Sequence, residues 1–132
     1  MKHLLVVLAL FLTSCSQPPP SASFRDRAAR AEALELTPTG LAYITEFLKE
    51  HGEGLSSFAG ECYAETSVPK TRFELVADIK PDGRFENVVV QPESDPTRCY
   101  ANKMGQLQVS ASRPPGYSDK SFPVFIIVNY NK

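Results

Sequence analysis

Hydrophobic and polar positions alternate most cleanly in Arg72–Lys80 (RFELVADIK), where Phe73, Leu75, Ala77 and Ile79 are set against Arg72, Glu74, Asp78 and Lys80. A period of two predicts a half-buried strand, with Val76 as its exception. Pro81-Asp82-Gly83 supplies a turn, proline presetting φ and glycine free to take a positive one, and Phe85–Val90 (FENVVV) returns as the hairpin partner. The run Phe122–Tyr130 (FPVFIIVNY) also alternates, but both of its sides are mostly apolar. Such a strand calls for cover on both faces or a central place in a sheet. Pro123 near its start limits ladder bonding there.

Upstream the pattern is helical. Phe24–Leu36 (FRDRAARAEALEL) is rich in helix formers, with a weak apolar stripe of Phe24, Ala28, Ala31 and Leu34. Thr37 then reads as an N-cap and Pro38 as the first position of a second helix running to about Glu50. Leu41, Ile44, Phe47 and Leu48 form its apolar face, and Gly52 is placed to end it in the left-handed conformation. His51, in the expected last turn, suits the negative end of the helix dipole better than a catalytic role. Beyond Gly54 the pattern shifts toward period two. After the hairpin, Gln91–Pro96 reads as a loop, with Asp95 as N-cap and Pro96 as first residue of a short helix that carries Cys99 and ends near Gly105. Gln106–Ala111 reads as extended and Arg113–Ser121 (RPPGYSDKS) as a loop. Two helices followed by hairpin, helix and strand make an α+β chain.

The first residues belong to another logic. Lys2 precedes an unbroken apolar run from Leu4 to Leu12, too short to span a bilayer, which needs ~20 apolar residues. This is the layout of an export signal. Leu12-Thr13-Ser14-Cys15 resembles a bacterial lipobox. That resemblance implies cleavage before Cys15, acylation of its thiol and of the new amine, and anchoring by acyl chains, each buried methylene contributing ~0.8 kcal/mol. Ser16 after the cysteine, by the sorting rule of Gram-negative lipoproteins, implies the periplasmic leaflet of the outer membrane. Residues 1–14 are then the signal, 15–23 a lipidated and Pro-rich tether, 24–54 a helical segment and 55–132 the α+β domain. Ordinary cleavage leaving a free thiol is the alternative.

The chain has three cysteines. With Cys15 taken by lipid, Cys62 and Cys99 remain in a disulfide-permissive compartment, and a bridge between them is expected. Two buried thiols that never meet are the alternative, and a metal site is disfavoured because two thiolates need further ligands and only His51 remains after the signal. Without residues 1–14 the 14 basic side chains lose Lys2, leaving 13 against 15 acidic. That near-neutral balance, with no basic stripe, argues against a nucleic-acid partner or a polybasic membrane patch.

The order strand, PDG turn, strand, short helix, strand over Thr71–Tyr130 resembles the C-terminal domain of TonB and its relatives, TolA among them. The features that carry it are DIKPDGRFENVVV, the helix around Cys99, and RPPGY followed by FPVFIIVNY. The resemblance implies a capacity to take up an extended peptide strand on a sheet edge. A lipobox in place of a retained membrane helix, and a linker of only a few residues, argue against an energy transducer. No functional residue of that family transfers position by position.

Catalytic chemistry has little to stand on. The chain contains no GxSxG elbow and no P-loop. A nucleophile–His arrangement would have to use His51. Asp78, Asp82 and Glu86 straddle a turn, where charges are normally solvated, and their spacing fails the calcium-loop template. Tyr63, Tyr100, Tyr117 and Phe122 are open to two readings, a binding surface around the Pro114-Pro115-Gly116 loop or cover for a thin core; packing is favoured for Tyr63 and Tyr100, and Pro114, Pro115, Gly116 and Tyr117 form a candidate partner-binding loop. The expectation is a non-enzymatic, cofactor-free accessory protein of a cell-envelope assembly, with a protein partner. The alternative is an immunity or inhibitor lipoprotein that neutralises a periplasmic toxin or hydrolase.

Overall fold

The structure, a computed structural model, describes residues 20–129; the expected signal, Cys15, the first part of the tether and Tyr130 lie outside them. The element order is α1 (Pro20–Glu35), α2 (Pro38–Tyr63), β1 (Phe73–Ile79), β2 (Phe85–Gln91), α3 (Asp95–Met104) and β3 (Phe122–Val128), an α+β fold around one antiparallel sheet. The strand order is β2-β1-β3. So β3 is an edge strand rather than a central one, and it meets its apolar demand by cover on both faces.

That cover comes from two layers. Phe73, Leu75, Ala77 and Ile79 of β1 and Phe122 and Val124 of β3 face a core completed by Tyr43, Phe47, Tyr100 and Met104 from α2 and α3. Val76 points the other way and is still 1% exposed, because α1 crosses that face. Its Phe24 meets Phe125 edge to face at 6.4 Å, and Ala31 is fully buried. Arg27 extends to the far side of the sheet, donating to Asp78 at 3.4 Å and to the Asn87 carbonyl at 2.7 Å. Asn87 has φ of 52° at the bulge where the β1–β2 register shifts, and asparagine tolerates that conformation.

Four expectations need correction. The second helix does not stop at Gly52; it runs to Tyr63, through the boundary expected at residue 54, so the segments 24–54 and 55–132 meet inside one helix and share one core. Tyr43, Phe47, His51, Leu55, Ala59 and Tyr63 recur every four residues, and burial of five of these positions outweighs the propensity cost of the interior glycines, about 1 kcal/mol each. The tether is shorter than expected, since Pro20–Ser23 belong to α1. The N-cap of α3 is Ser94, not Asp95, and forms a reciprocal capping box with Thr97. Gln106–Ala111 contributes only one isolated bridge, Arg84 to Gln108.

Cys62 at the end of α2 and Cys99 in α3 form a disulfide, closing a loop with a sequence separation of 37. The hairpin turn is a Lys80–Gly83 turn whose last residue has the positive φ, with Gly83 N donating to Lys80 O and Lys80 N to Arg84 O, both at 2.8 Å. Gly83 has φ of 87°, and a Cβ there would collide with the Val109 carbonyl, so this position needs glycine twice over.

Candidate functional site

The expected partner-binding loop is built on one side chain. Arg113 donates from Nε to the Tyr117 carbonyl at 3.0 Å, and from its terminal nitrogens to Tyr43 Oη at 2.9 Å, Ile79 O at 3.1 Å and Lys120 O at 2.6 Å. A planar fork of five donors suits such divergent acceptors; an ammonium would not reach them all. On this frame Pro114-Pro115-Gly116-Tyr117 makes a turn with Tyr117 N bonded to Pro114 O at 3.0 Å and Gly116 at φ of 83°, the type II pattern. Pro114 is buried, Pro115 and Gly116 are exposed, and Tyr117 is half-buried with its ring edge-on to Phe122 at 5.1 Å. The turn is thus presented rigidly, with Pro115 and Gly116 as its tip.

Beside it lies a concavity of about 570 Å³ between the start of α2 (Thr39, Ala42, Tyr43, Glu46) and Ser110–Pro115. Further along α2, outside this concavity, two titratable groups are held in place. Glu50 accepts from Ser110 N and Oγ, which keep its carboxyl below the usual range. His51 does not serve a helix end; its Nε2 lies 2.9 Å from Gln108 O and its ring packs on Phe47. Gln108 Nε2 in turn donates to Asp82 O, and Val109 N to Gly83 O, so residues 108–110 strap α2 to the hairpin turn. Burial pushes the Tyr43 hydroxyl up, while the adjacent Arg113 opposes that shift.

The three carboxylates near the turn are absorbed by structure. Asp78 receives Arg27 and Asn87, Asp82 accepts from Arg84 N, and Glu86 accepts from Ser121. Tyr63 and Tyr100 are core residues, as read from their position beside the cysteines. Among the described residues no three His, Cys, Asp or Glu side chains are grouped to hold a metal ion, and no helix is long and apolar enough to cross a membrane.

The two edges of the sheet differ. On β3 the Phe125 amide points outward and donates to Glu35 Oε1 at 3.4 Å. Burial raises the Glu35 carboxyl above its usual range, more than this bond lowers it. Pro123, two residues earlier and therefore on the same side, has no N–H to offer. The first half of this edge is guarded, as exposed edges generally are. On β2, beyond the Arg84–Gln108 bridge, no strand among the described residues pairs with the outer side, and Val89 is exposed on the sheet face. Sequence reading foresaw the proline on β3 but neither Glu35 nor the Arg113 frame. Both rely on partners far along the chain.

The chain matches no protein-family model, no curated protein and no solved structure. Its function is therefore argued from its own residues.

Proposed function

We propose that the protein is a lipid-anchored, non-enzymatic accessory component of a bacterial cell-envelope assembly, held at the periplasmic face of the outer membrane by Cys15. The observation that carries the binding part is the outer edge of β2, which beyond the Arg84–Gln108 bridge and the Asn87 bulge has no pairing strand among the described residues, in a sheet whose other edge is blocked at Pro123 and Phe125. An edge left free while its counterpart is protected is suited to take up an extended segment of a partner, with main-chain hydrogen bonds supplying affinity. The order hairpin, helix, strand is in keeping with the TonB C-terminal-like reading. The lipobox residues Leu12–Cys15 support the anchor and Ser16 the outer-membrane address.

Two measurements test this. Cys15→Ser is expected to release the protein from the membrane fraction; unchanged retention refutes the lipid anchor. A photo-crosslinking residue at Val89 is expected to capture envelope proteins in stoichiometric amount. A second reading, an inhibitor of a periplasmic toxin or hydrolase, is favoured by the Pro115-Gly116 tip, since a turn preorganised by four bonds from Arg113 loses little entropy on insertion into a cleft. Capture of a single enzyme or toxin, one to one, from Pro115 and not from Val89 would establish that reading instead.

A further inference from the structure

The hydrogen bonds of the sheet fix which groups of β2 look outward. Phe125 spends its amide on Glu35 and stands opposite Val76, so this pair exchanges no ladder bonds and Val76 turns its N–H and C=O toward β2. Its partner there is Val89, whose own amide is therefore turned inward, and alternation leaves those of Val88 and Val90 facing out. The side chains agree: Val90 is buried and Val88 packs against the core, while Val89 stands 37% exposed on the opposite face. The open window is short. Asn87, at positive φ with its carbonyl taken by Arg27, bounds it on one side, and Pro92, which has no N–H, bounds it on the other.

This window reads the same in both directions. It is Val88-Val89-Val90, a run of one β-branched residue centred on Val89. An antiparallel copy turned about a two-fold axis at Val89 sets Val88 against Val90 and Val89 against Val89, and the outward N–H and C=O groups of Val88 and Val90 on both copies satisfy one another. The flanking pair is Asn87 with Gln91, two uncharged amides, so no like charges stand opposite within the ladder. Counted further along the sequence, exposed Glu93 comes opposite residue 85, next to the exposed Arg84 of the other copy, with opposite charges meeting at each end. A strand of unrelated sequence can meet the backbone groups alone; a second copy also matches the three side chains and the flanking charges.

We infer that the occupant of the β2 edge is a second copy of this chain, paired antiparallel through Val88–Val90 so that two three-stranded sheets become one. The inference rests on the reading of that edge as the binding site and names what fills it. A ladder of three residues a side is far below the roughly 20 of a stable complex, so the pair is reversible in dilute solution and is best caught by trapping.

The test uses the full chain carrying Cys15→Ser, with Cys62 and Cys99 joined, so that Val89→Cys supplies the sole free thiol. Directly opposed residues of an antiparallel pair have Cβ atoms ~4.5–5.5 Å apart, close to disulfide reach. Under mild oxidation a covalent dimer is expected about tenfold faster than from Val68→Cys, an equally exposed valine outside the sheet, because pairing raises the local thiol concentration. Val89→Lys and Val89→Glu are expected to melt like the parent, since the side chain stands in water and the ladder amide is untouched. Each alone is expected to associate less than the parent in sedimentation equilibrium. Mixed, they are expected to pair about fivefold more strongly than either alone, the difference between opposite and like charges directly across a ladder. Equal trapping from Val89→Cys and Val68→Cys, or a mixture that pairs no better than its components, overturns the inference. Should a photo-crosslinking residue at Val89 then capture another envelope protein, the reading of β2 as a binding edge stands with a different occupant; should it capture nothing, both fall.

Discussion

Arg113→Met removes the guanidinium while keeping most of the apolar stem. Four bonds are lost, to Tyr43 Oη, Ile79 O, Tyr117 O and Lys120 O. A hydrogen bond from a charged donor contributes roughly 1.5–3 kcal/mol, but the Lys120 carbonyl is exposed and returns to water, and the others are only partly buried. The expected loss is therefore about 3 kcal/mol rather than the sum of four full bonds, or about 12 °C in melting temperature for a domain of this size. Arg113→Lys keeps the charge over the Tyr43 ring but reaches fewer acceptors, so it should recover less than half of the loss. Thermal unfolding by circular dichroism gives the stability. Limited proteolysis gives the location, with cleavage expected between Ser112 and Ser121 at temperatures where the parent is intact. Arg113 also opposes the burial that raises the Tyr43 hydroxyl, so its removal should shift that titration further upward. A Met variant melting within about 3 °C of the parent, with the segment still protected, would refute the role of Arg113 as the fastening of this loop.

Three further outcomes follow from the geometry. Replacing Cys62 and Cys99 by alanine should lower unfolding free energy by about 4 kcal/mol, the chain-entropy cost of opening a loop with a separation of 37, read from urea midpoints; a loss under 1 kcal/mol would contradict it. Gly83→Ala should cost about 2–3 kcal/mol, from the positive φ and from displacement of the Val109 strap, and hydrogen exchange at the Val109 amide should rise with it. Burial pushes the Tyr100 hydroxyl up to about 12 from an ordinary 10.0. Its folded-state value lies above the unfolded one, so its contribution is fully present below pH 10 and is lost as pH rises through 12. Tyr100→Phe should flatten that alkaline loss, and an unchanged pH profile would show that another group governs it.

What the sequence made legible was local. The hairpin announced itself because both strands and their turn lie within twenty residues and share one period. The disulfide was readable from cysteine count and compartment, not from spacing. The end of α2 was misread because Gly52 was weighed as a terminator, while the four-residue recurrence from Tyr43 through Leu55 to Tyr63 lies on the buried side and outweighs it. The edge position of β3 and the guarding of Phe125 by Glu35, ninety positions away, arise from tertiary placement alone. The same holds for Arg113. Its acceptors range from Tyr43 to Lys120, so no window of sequence contains them, and only its place directly before Pro-Pro-Gly-Tyr hinted at a structural anchor.

The asymmetry of the sheet sets a combining number. With Pro123 and the Glu35 carboxylate closing the first half of the β3 border, strand exchange has the other side, that of β2, open to it beyond the Asn87 bulge. A second copy joined through β2 would use up that side on both molecules and leave a pair bounded by two β3 strands, each closed over its first half. A pair bounded in that way resists extension into ribbons or fibres. At high local concentration, where two open borders would drive open-ended stacking, a sheet guarded on one side favours ending an assembly over seeding it.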